Sequence, residues 1–111
     1  MMNLYQLTTF VTVISEGSMT AAADKLYLTQ PAVSQQIRNL EEELGVELLA
    51  RGVRQIKPTA QGEMLYEHAK KILHYVQGAE TAIKSMGAEL KGQLSVGTLS
   101  SLGLQMMSPA L

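Results

Sequence analysis

Residues 29–44, TQPAVSQQIRNLEEEL, decide how the sequence is interpreted. Apolar side chains recur here three and four positions apart, which predicts a helix with one face in a core: Val33, Ile37, Leu40 and Leu44. The opposite face is polar and almost free of acid in its first two turns: Gln30, Pro31, Ser34, Gln35 and Arg38. Thr29 suits the N-cap, and Pro31 falls in the first turn, where its missing N–H costs nothing. An ordinary amphipathic surface helix explains this stretch equally well, so its neighbours decide.

Two shorter helices are predicted before this one. Apolar residues at helical spacing indicate a first helix over residues 4–16, closed by Gly17: Leu4, Leu7, Phe10, Val11 and Ile14. Ser18 is a good N-cap for a second helix, whose inward residues would be Met19, Ala22, Ala23 and Leu26. Residues 27–29 alone separate the second helix from the third. Two helices joined by so short a turn predict a helix-turn-helix.

A β-hairpin is predicted after the third helix. Gly45 suits the position that ends that helix, and residues 46–50 and 56–57 are short apolar segments around a turn that contains Gly52. The hairpin would carry Arg51 and Arg54 at its tip, which makes it a wing beside the helix-turn-helix. The alternative is a solvated loop with incidental charges.

A long helix with a heptad pattern follows Pro58, and Thr59 can cap it. The apolar positions alternate steps of four and three, as in a coiled coil: Leu65, Ala69, Ile72, Val76, Ala79, Ile83, Met86 and Leu90. From residue 59 to Gly87, its predicted end, the helix would be about 40 Å long. A small domain cannot cover so long a stripe, so we expect a second copy of the chain to pack against it. The alternative, packing on the chain's own domain, remains open for the first turn or two.

The last part of the chain has a different pattern. Residues 92–97, GQLSVG, alternate apolar and polar side chains, which predicts a short strand. Residues 98–101 would form a loop, and residues 104–111 could open another helix. Because the strand has no partner strand, we expect the start of a second domain that has been cut off. The predicted organisation is therefore a winged helix-turn-helix over 1–58, a linker helix over 59–89, and the start of an α/β domain over 90–111.

The composition excludes several classes of protein. Nine Lys and Arg residues stand against ten Asp and Glu, a net charge of −1 that is unusual for a nucleic-acid reader. Placement matters more, because residues 51–57 hold three bases and no acid, while acids cluster at the far end of the central helix. The absence of cysteine excludes disulfides and cysteine-ligated zinc. Without a basic leader or a long apolar run, a signal peptide and a membrane span are not expected, and the protein should be soluble and cytoplasmic.

An enzyme is not expected. His68 and His74 lie six residues apart, about 240° around a helix, so they cannot share a metal as an i, i+4 pair would. The sequence has neither a glycine-rich phosphate loop nor a nucleophile elbow, and Ser34 has no base within sequence reach. We therefore expect no cofactor and no metal. A structural or dimerisation module, in which the helix-turn-helix is only a scaffold, remains the other alternative.

The sequence of residues 1–62 resembles that of a known protein family. They include Leu7, Phe10, Val13, the run GSMT at 17–20, Ala22, Ala23, Leu26, the run TQPAVS at 29–34, Gln36, Ile37, Leu40, Glu41, Leu44, Gly45, the run LLAR at 48–51, Thr59 and Gly62. This pattern is similar to the N-terminal part of the LysR-type transcriptional regulators, and residues 92–97 resemble the first strand of that family's effector domain. Leu49 stands where the family often has Phe, and Pro58 and Gln61 replace the more usual Leu and Ala.

The resemblance implies a sequence-specific regulator that binds double-stranded DNA. The residues expected in the major groove are Gln30, Pro31, Ser34, Gln35 and Arg38. Arg51 and Arg54 would reach phosphates or the minor groove, and Ser18 and Thr20 a phosphate, unless Ser18 is only a cap. The linker helices of a homodimer would pair antiparallel through residues 65–83, over an inverted-repeat operator with half-sites about 34 Å apart. Full-length proteins would form tetramers and respond to a small molecule, with Ser100 and Ser101 in the loop of the effector cleft.

Overall fold

The computed structural model describes residues 1–50 and 55–92. Within this part the chain is mainly helical, as predicted, with α1 at Leu4–Glu16, α2 at Met19–Leu26, α3 at Gln30–Leu44 and α4 at Ala60–Gly92. The predictions for the wing tip, with Arg51 and Arg54, lie outside the described residues. So do those for residues 93–111, which include the effector-loop residues Ser100 and Ser101 and all but the first residue of the strand predicted at 92–97; that first residue, Gly92, ends α4.

Capping groups fix the ends of the first three helices. The hydroxyls of Ser18 and Thr29 each accept a backbone N–H from the next turn, at 3.0 and 3.2 Å. Asn3, which the sequence analysis did not single out, forms a reciprocal capping box with Gln6 at the start of α1. Gly17 and Gly45 end α1 and α3 with φ of +76° and +72°, a conformation that glycine adopts without steric cost. The predicted boundaries of these helices are confirmed.

The core lies between α1, α2 and α3. It is formed by apolar side chains from each of these helices and from the segment that follows α3: Phe10, Val13, Ala22, Ala23, Val33, Ile37, Leu40, Leu48 and Leu49. Two details of the predicted stripes were wrong. Val13, not Leu4 or Val11, completes the buried face of α1: Val13 is fully buried, whereas Leu4 is exposed and Val11 is partly exposed. Leu44 is exposed at the last residue of α3, and Glu41 is buried one turn earlier.

The base of the predicted wing is present as an antiparallel bridge between Leu49 and Pro58. The N–H of Ala50 donates to the carbonyl of Lys57 at 2.8 Å, and the N–H of Thr59 donates to the carbonyl of Leu48 at 3.0 Å. The two sides of the predicted hairpin therefore approach each other in the expected antiparallel direction at the bridge that the described residues contain.

The first turns of α4 are part of the same compact unit, which comprises residues 1–74. Thr59 caps the helix by accepting the N–H of Gly62 at 3.0 Å, and its own hydroxyl donates to the carbonyl of Glu47 at 2.6 Å. Leu65 and Tyr66 pack against the core. The Tyr66 hydroxyl lies 3.2 Å from that of Ser15, which ties α4 to α1.

The remainder of α4, from Tyr75, belongs to a second unit. The prediction that Gly87 ends the helix was wrong, because α4 continues through Gly78 and Gly87 to Gly92. A glycine inside a helix costs only about 1 kcal/mol relative to alanine, which its neighbours can offset.

Candidate nucleic-acid interface

α3 presents two faces with different surroundings. Val33, Ile37 and Leu40 are buried in the core. On the other side, all of the residues predicted for the major groove share one face, where Ser34 is partly exposed and the rest are exposed: Gln30, Pro31, Ser34, Gln35 and Arg38. In the N-terminal turn of α3, Pro31 has no N–H, and Thr29 accepts the N–H groups of Ala32 and Val33. The side chains of this face therefore offer donors and acceptors at a surface that the described part of the chain leaves exposed.

The polar side chains of this face are joined by hydrogen bonds. The guanidinium of Arg38 donates from Nη1 to the Ser34 hydroxyl at 2.9 Å and from Nη2 to Gln35 Oε1 at 3.0 Å. Gln35 Nε2 in turn donates to Asn39 Oδ1 at 2.8 Å. Asn39 was not predicted as a site residue, although its position four residues after Gln35 placed it on the same face. We call these four residues the outer network of α3.

The charges along α3 are strongly asymmetric. Glu42 and Glu43 are exposed in its last turn, and Glu43 pairs with the N-terminal amine of Met1 at 3.4 Å. Glu42 lies four residues after Arg38, yet within the described part of the chain it forms no salt bridge. The guanidinium instead bonds toward the N-terminal end of α3, the direction in which helical side chains lean. The cationic group is thereby held on the half of the helix that is free of acid.

Glu41 has a structural role that was not predicted, although the residue is part of the family resemblance. It is 8% exposed, and its Oε2 accepts the N–H groups of Leu48 and Leu49 at 2.8 and 3.3 Å. Its backbone carbonyl also accepts the N–H of Gly45 at 2.8 Å. The side chain therefore fastens the end of α3 to the base of the wing. Its position, one residue after Leu40 and four after Ile37, marks the edge of the apolar face and was the available signal.

Ser18 and Thr20 lie at the start of α2. The Ser18 hydroxyl accepts the N–H of Ala21 at 3.0 Å, so the capping role that was left open is present. Thr20 is exposed in the first turn. Both residues are near free helix-terminal amides, a position suited to a phosphate oxygen.

The residues predicted for the dimer seam fall into two groups. Leu65 is partly buried and Ala69 is 0% exposed within its own chain, so the alternative of packing on the chain's own domain applies to these first turns. Ile72 is 37% exposed and Ile83 is 68% exposed. Between these two positions on α4, Val76 is partly exposed and Ala79 is exposed. An uncovered apolar stripe thus begins at Ile72.

His68 and His74 are both exposed on α4. The residues that the structure describes contain no cluster of three or more His, Asp or Glu side chains that could hold a metal ion. None of the described helices has an apolar stretch long enough to span a membrane.

Sequence comparison finds relatives over most of the chain. The nitrogen assimilation regulatory protein nac of Klebsiella aerogenes is 44% identical over 96 residues, 86% of this chain and 32% of that protein. The transcriptional regulator BenM of Acinetobacter baylyi is 44% identical over 101 residues, 91% of this chain and 33% of that protein. The chain therefore spans about a third of the length of these curated relatives.

Structural comparison finds DNA complexes. A crystal structure of the BenM DBD with catB site 1 DNA matches with a TM-score of 0.77 and 45% identity, covering 79% of this chain and 98% of that one. The CbnR DBD–DNA complex matches with a TM-score of 0.71 and 36% identity, covering 78% and 99%. The model of the bacterial regulatory helix-turn-helix proteins of the lysR family matches residues 4–63, from the start of α1 to the first turn of α4. The chain belongs to the lysR family of bacterial regulatory helix-turn-helix proteins.

Proposed function

We propose that this chain is the DNA-binding and linker part of a transcriptional regulator that binds an inverted-repeat operator as a homodimer. The observation that carries the proposal is the exposed polar face of α3, whose opposite face is buried in the core. The matching complexes of the BenM and CbnR DBDs with DNA support it. An α-helix fits the major groove, where each base pair presents a distinct pattern of donors and acceptors.

Base readout would come from the first three turns of α3. Arg38 can donate two hydrogen bonds to one guanine, and Gln30, Gln35 and Ser34 can donate to or accept from other base edges. Pro31, exposed in the first turn, offers an apolar contact to a thymine methyl group. The acidic last turn of α3 would stay outside the groove, because its carboxylates would repel phosphates.

Backbone contacts would fix the orientation of the helix on the duplex. We assign this role to Arg51 and Arg54 of the wing, at phosphates or in the adjacent minor groove. Ser18 and Thr20 would contribute contacts to a phosphate from the start of α2. Such contacts are independent of sequence and make affinity fall as salt is added.

Dimerisation would use the apolar stripe of α4, with Ile72, Val76, Ala79 and Ile83 at the contact between two antiparallel copies. Leu65 and Ala69 were predicted for the same seam. We now propose that these two residues, in the first turns of α4, mainly pack on the chain's own core. Two DNA-binding domains held by a pair of α4 helices would meet half-sites one helical turn of DNA apart, roughly 34 Å.

The longer protein would add a two-lobed α/β domain and regulation. Because the chain spans about a third of its curated relatives, the response to a small-molecule effector and assembly into tetramers are proposals for that longer protein. A regulator of this kind would act in the cytoplasm, where the DNA is, and would have no catalytic activity.

The test is selection of DNA by the purified chain. Random duplexes retained by the chain are sequenced, and affinity is compared between the recovered sequence and a scrambled duplex at several salt concentrations. We expect an inverted repeat and an affinity that falls steeply with salt. Arg38→Ala should lower the preference for the selected duplex at least tenfold, about 1.4 kcal/mol. Lys84→Ala, which removes the same charge from α4, is the matched control and should leave the preference unchanged.

The same measurement separates the alternative, a structural module with no DNA function. A chain that binds no duplex at low salt would favour that alternative and exclude the proposal. Retention of random fragments without enrichment, together with equal behaviour of Arg38→Ala and the unchanged chain, would show DNA binding without sequence readout and would contradict the role assigned to α3.

A further inference from the structure

We propose that Asn39 is a positioning residue for sequence readout: it holds the Gln35 side chain, and through it the Arg38 guanidinium, in place without contacting a base itself. The inference rests on the proposed function, because it concerns how α3 would read a duplex. Its basis is the chain of hydrogen bonds in the outer network, in which Arg38 donates to Gln35 and Gln35 donates to Asn39.

The Gln35 amide can bond to both neighbours in only one of its two orientations. With Nε2 turned toward Asn39 Oδ1, at 2.8 Å, the carbonyl oxygen faces Arg38 and accepts from Nη2 at 3.0 Å. After a half-turn of the amide, its NH₂ group would face the guanidinium, and two donors would meet. The last torsion of glutamine is broad and roughly two-fold, so the side chain alone does not select between these orientations. Arg38 can only donate, so it requires the carbonyl oxygen of Gln35, while Asn39 Oδ1 accepts from the NH₂ group and holds the amide in place beside the guanidinium.

This arrangement of the Gln35 amide determines the position of Arg38. Nη1 is bonded to Ser34 and Nη2 to Gln35, so the planar fork has two fixed points on the helix surface. Three of the five N–H donors of an arginine remain for a base or a phosphate. Because a free arginine side chain samples many rotamers, a guanidinium that is already held in place before binding loses less conformational entropy when it binds.

Bonds of this kind are weak at a solvated surface, since water competes for every donor and acceptor. Their effect should increase at an interface that excludes water, where linked hydrogen bonds polarise one another and unpaired groups are costly. We call the linked bonds of Asn39, Gln35 and Arg38 the relay. We expect the relay to affect discrimination between duplexes more than the stability of the free chain.

A direct role for Asn39 is the competing explanation, because an asparagine can bond to an adenine through two hydrogen bonds. The two roles differ in their dependence on Gln35. A residue that acts through Gln35 has no effect once Gln35 is removed, whereas a residue that touches a base retains its own effect.

A double-mutant cycle makes the distinction. The preference for the selected duplex over a scrambled one is measured for the unchanged chain, Asn39→Ala, Gln35→Ala and the double variant. We expect Asn39→Ala to lower the preference about five- to tenfold, and to have no further effect in the Gln35→Ala background. Additive losses would overturn the relay in favour of a base contact. An Asn39→Ala variant that discriminates as well as the unchanged chain would overturn any role in readout.

Asn39→Asp is the second variant. Its carboxylate can still accept from Gln35 Nε2, so the preference should be largely retained, while the added negative charge should weaken binding to both duplexes. Equal loss of preference in Asn39→Asp and Asn39→Ala would contradict the relay. If the unchanged chain itself does not discriminate between duplexes, the proposed function fails and the relay with it, and that outcome is separate from additivity in the cycle.

Discussion

A Cβ atom placed on Gly62 would clash with the carbonyl oxygen of Leu48. That same oxygen accepts the N–H of Thr59 at 3.0 Å, so the first turn of α4 is pressed against the base of the wing. The close approach is possible only because Gly62 has no side chain. It fixes where the linker helix begins relative to the core of residues 1–74.

Gly62→Ala should therefore destabilise the chain, although the same change in an open helix is stabilising. Because the added methyl group meets backbone and not a flexible side chain, we expect a loss of about 1–3 kcal/mol in the free energy of unfolding, measured by denaturant titration. Gly78→Ala is the control, since a Cβ there meets nothing within 4 Å. If both variants are as stable as the unchanged chain, the contact at Gly62 is not as close as described.

Glu41→Gln should also destabilise the fold. The carboxylate accepts two backbone N–H groups in a buried position, and charge-assisted bonds of this type are stronger than those to a neutral amide. We expect a loss of about 1–2 kcal/mol in the free energy of unfolding. Glu42→Gln removes an exposed carboxylate from the adjacent position and should change stability by less than about 0.5 kcal/mol. A similar result for the two variants would contradict the structural role of Glu41.

Tyr27 offers a stabilising change. It ends α2 with φ of +59° and is 94% exposed, so it bears the steric cost of a left-handed backbone and buries almost none of its ring. Tyr27→Asn should raise the melting temperature, with a gain of about 0.5–1 kcal/mol, because asparagine tolerates this conformation. Tyr27→Phe retains the steric cost of the left-handed backbone and should have the same melting temperature as the unchanged chain. A lower melting temperature for Tyr27→Asn would reveal a packing role for the ring.

Ile72→Lys and Ile83→Lys test the proposed dimer seam. Each places a charge on the apolar stripe of α4 at a position that the chain's own core does not cover. We expect the dissociation constant of the dimer to rise at least tenfold in sedimentation experiments. Thr81→Lys adds the same charge to an exposed position off the stripe and should leave association unchanged. Should the isoleucine variants dimerise normally, the seam lies on another surface.

Local chemistry explains why much of the fold could be predicted. Ser18 and Thr29 begin helices and Gly17 and Gly45 end them through interactions that involve only neighbouring residues, so the boundaries of α1, α2 and α3 follow from the sequence. The exposed face of α3 followed for a similar reason. Once the apolar stripe is identified, helix geometry determines what lies opposite.

The features that were missed depend on contacts between distant segments or between side chains. Helical spacing places Glu41 at the edge of the apolar face, but its bonds to the backbone of Leu48 and Leu49 depend on the path of the chain after α3. Leu44 continues the apolar spacing, yet it is exposed. The bond between Gln35 and Asn39 depends on side-chain conformations that the sequence does not specify. Continuation of α4 past Gly87 shows that a single glycine is a weak stop signal.

The bonds described for the outer network run within α3, between residues three and four positions apart. Exchanging these side chains therefore removes no side-chain hydrogen bond between α3 and the rest of the described chain. Descendants of a duplicated gene can acquire different target promoters by changing a few outward positions, while the architecture they inherit continues to fold. This separation of outward-facing positions from core positions allows one fold to give regulators with many different specificities.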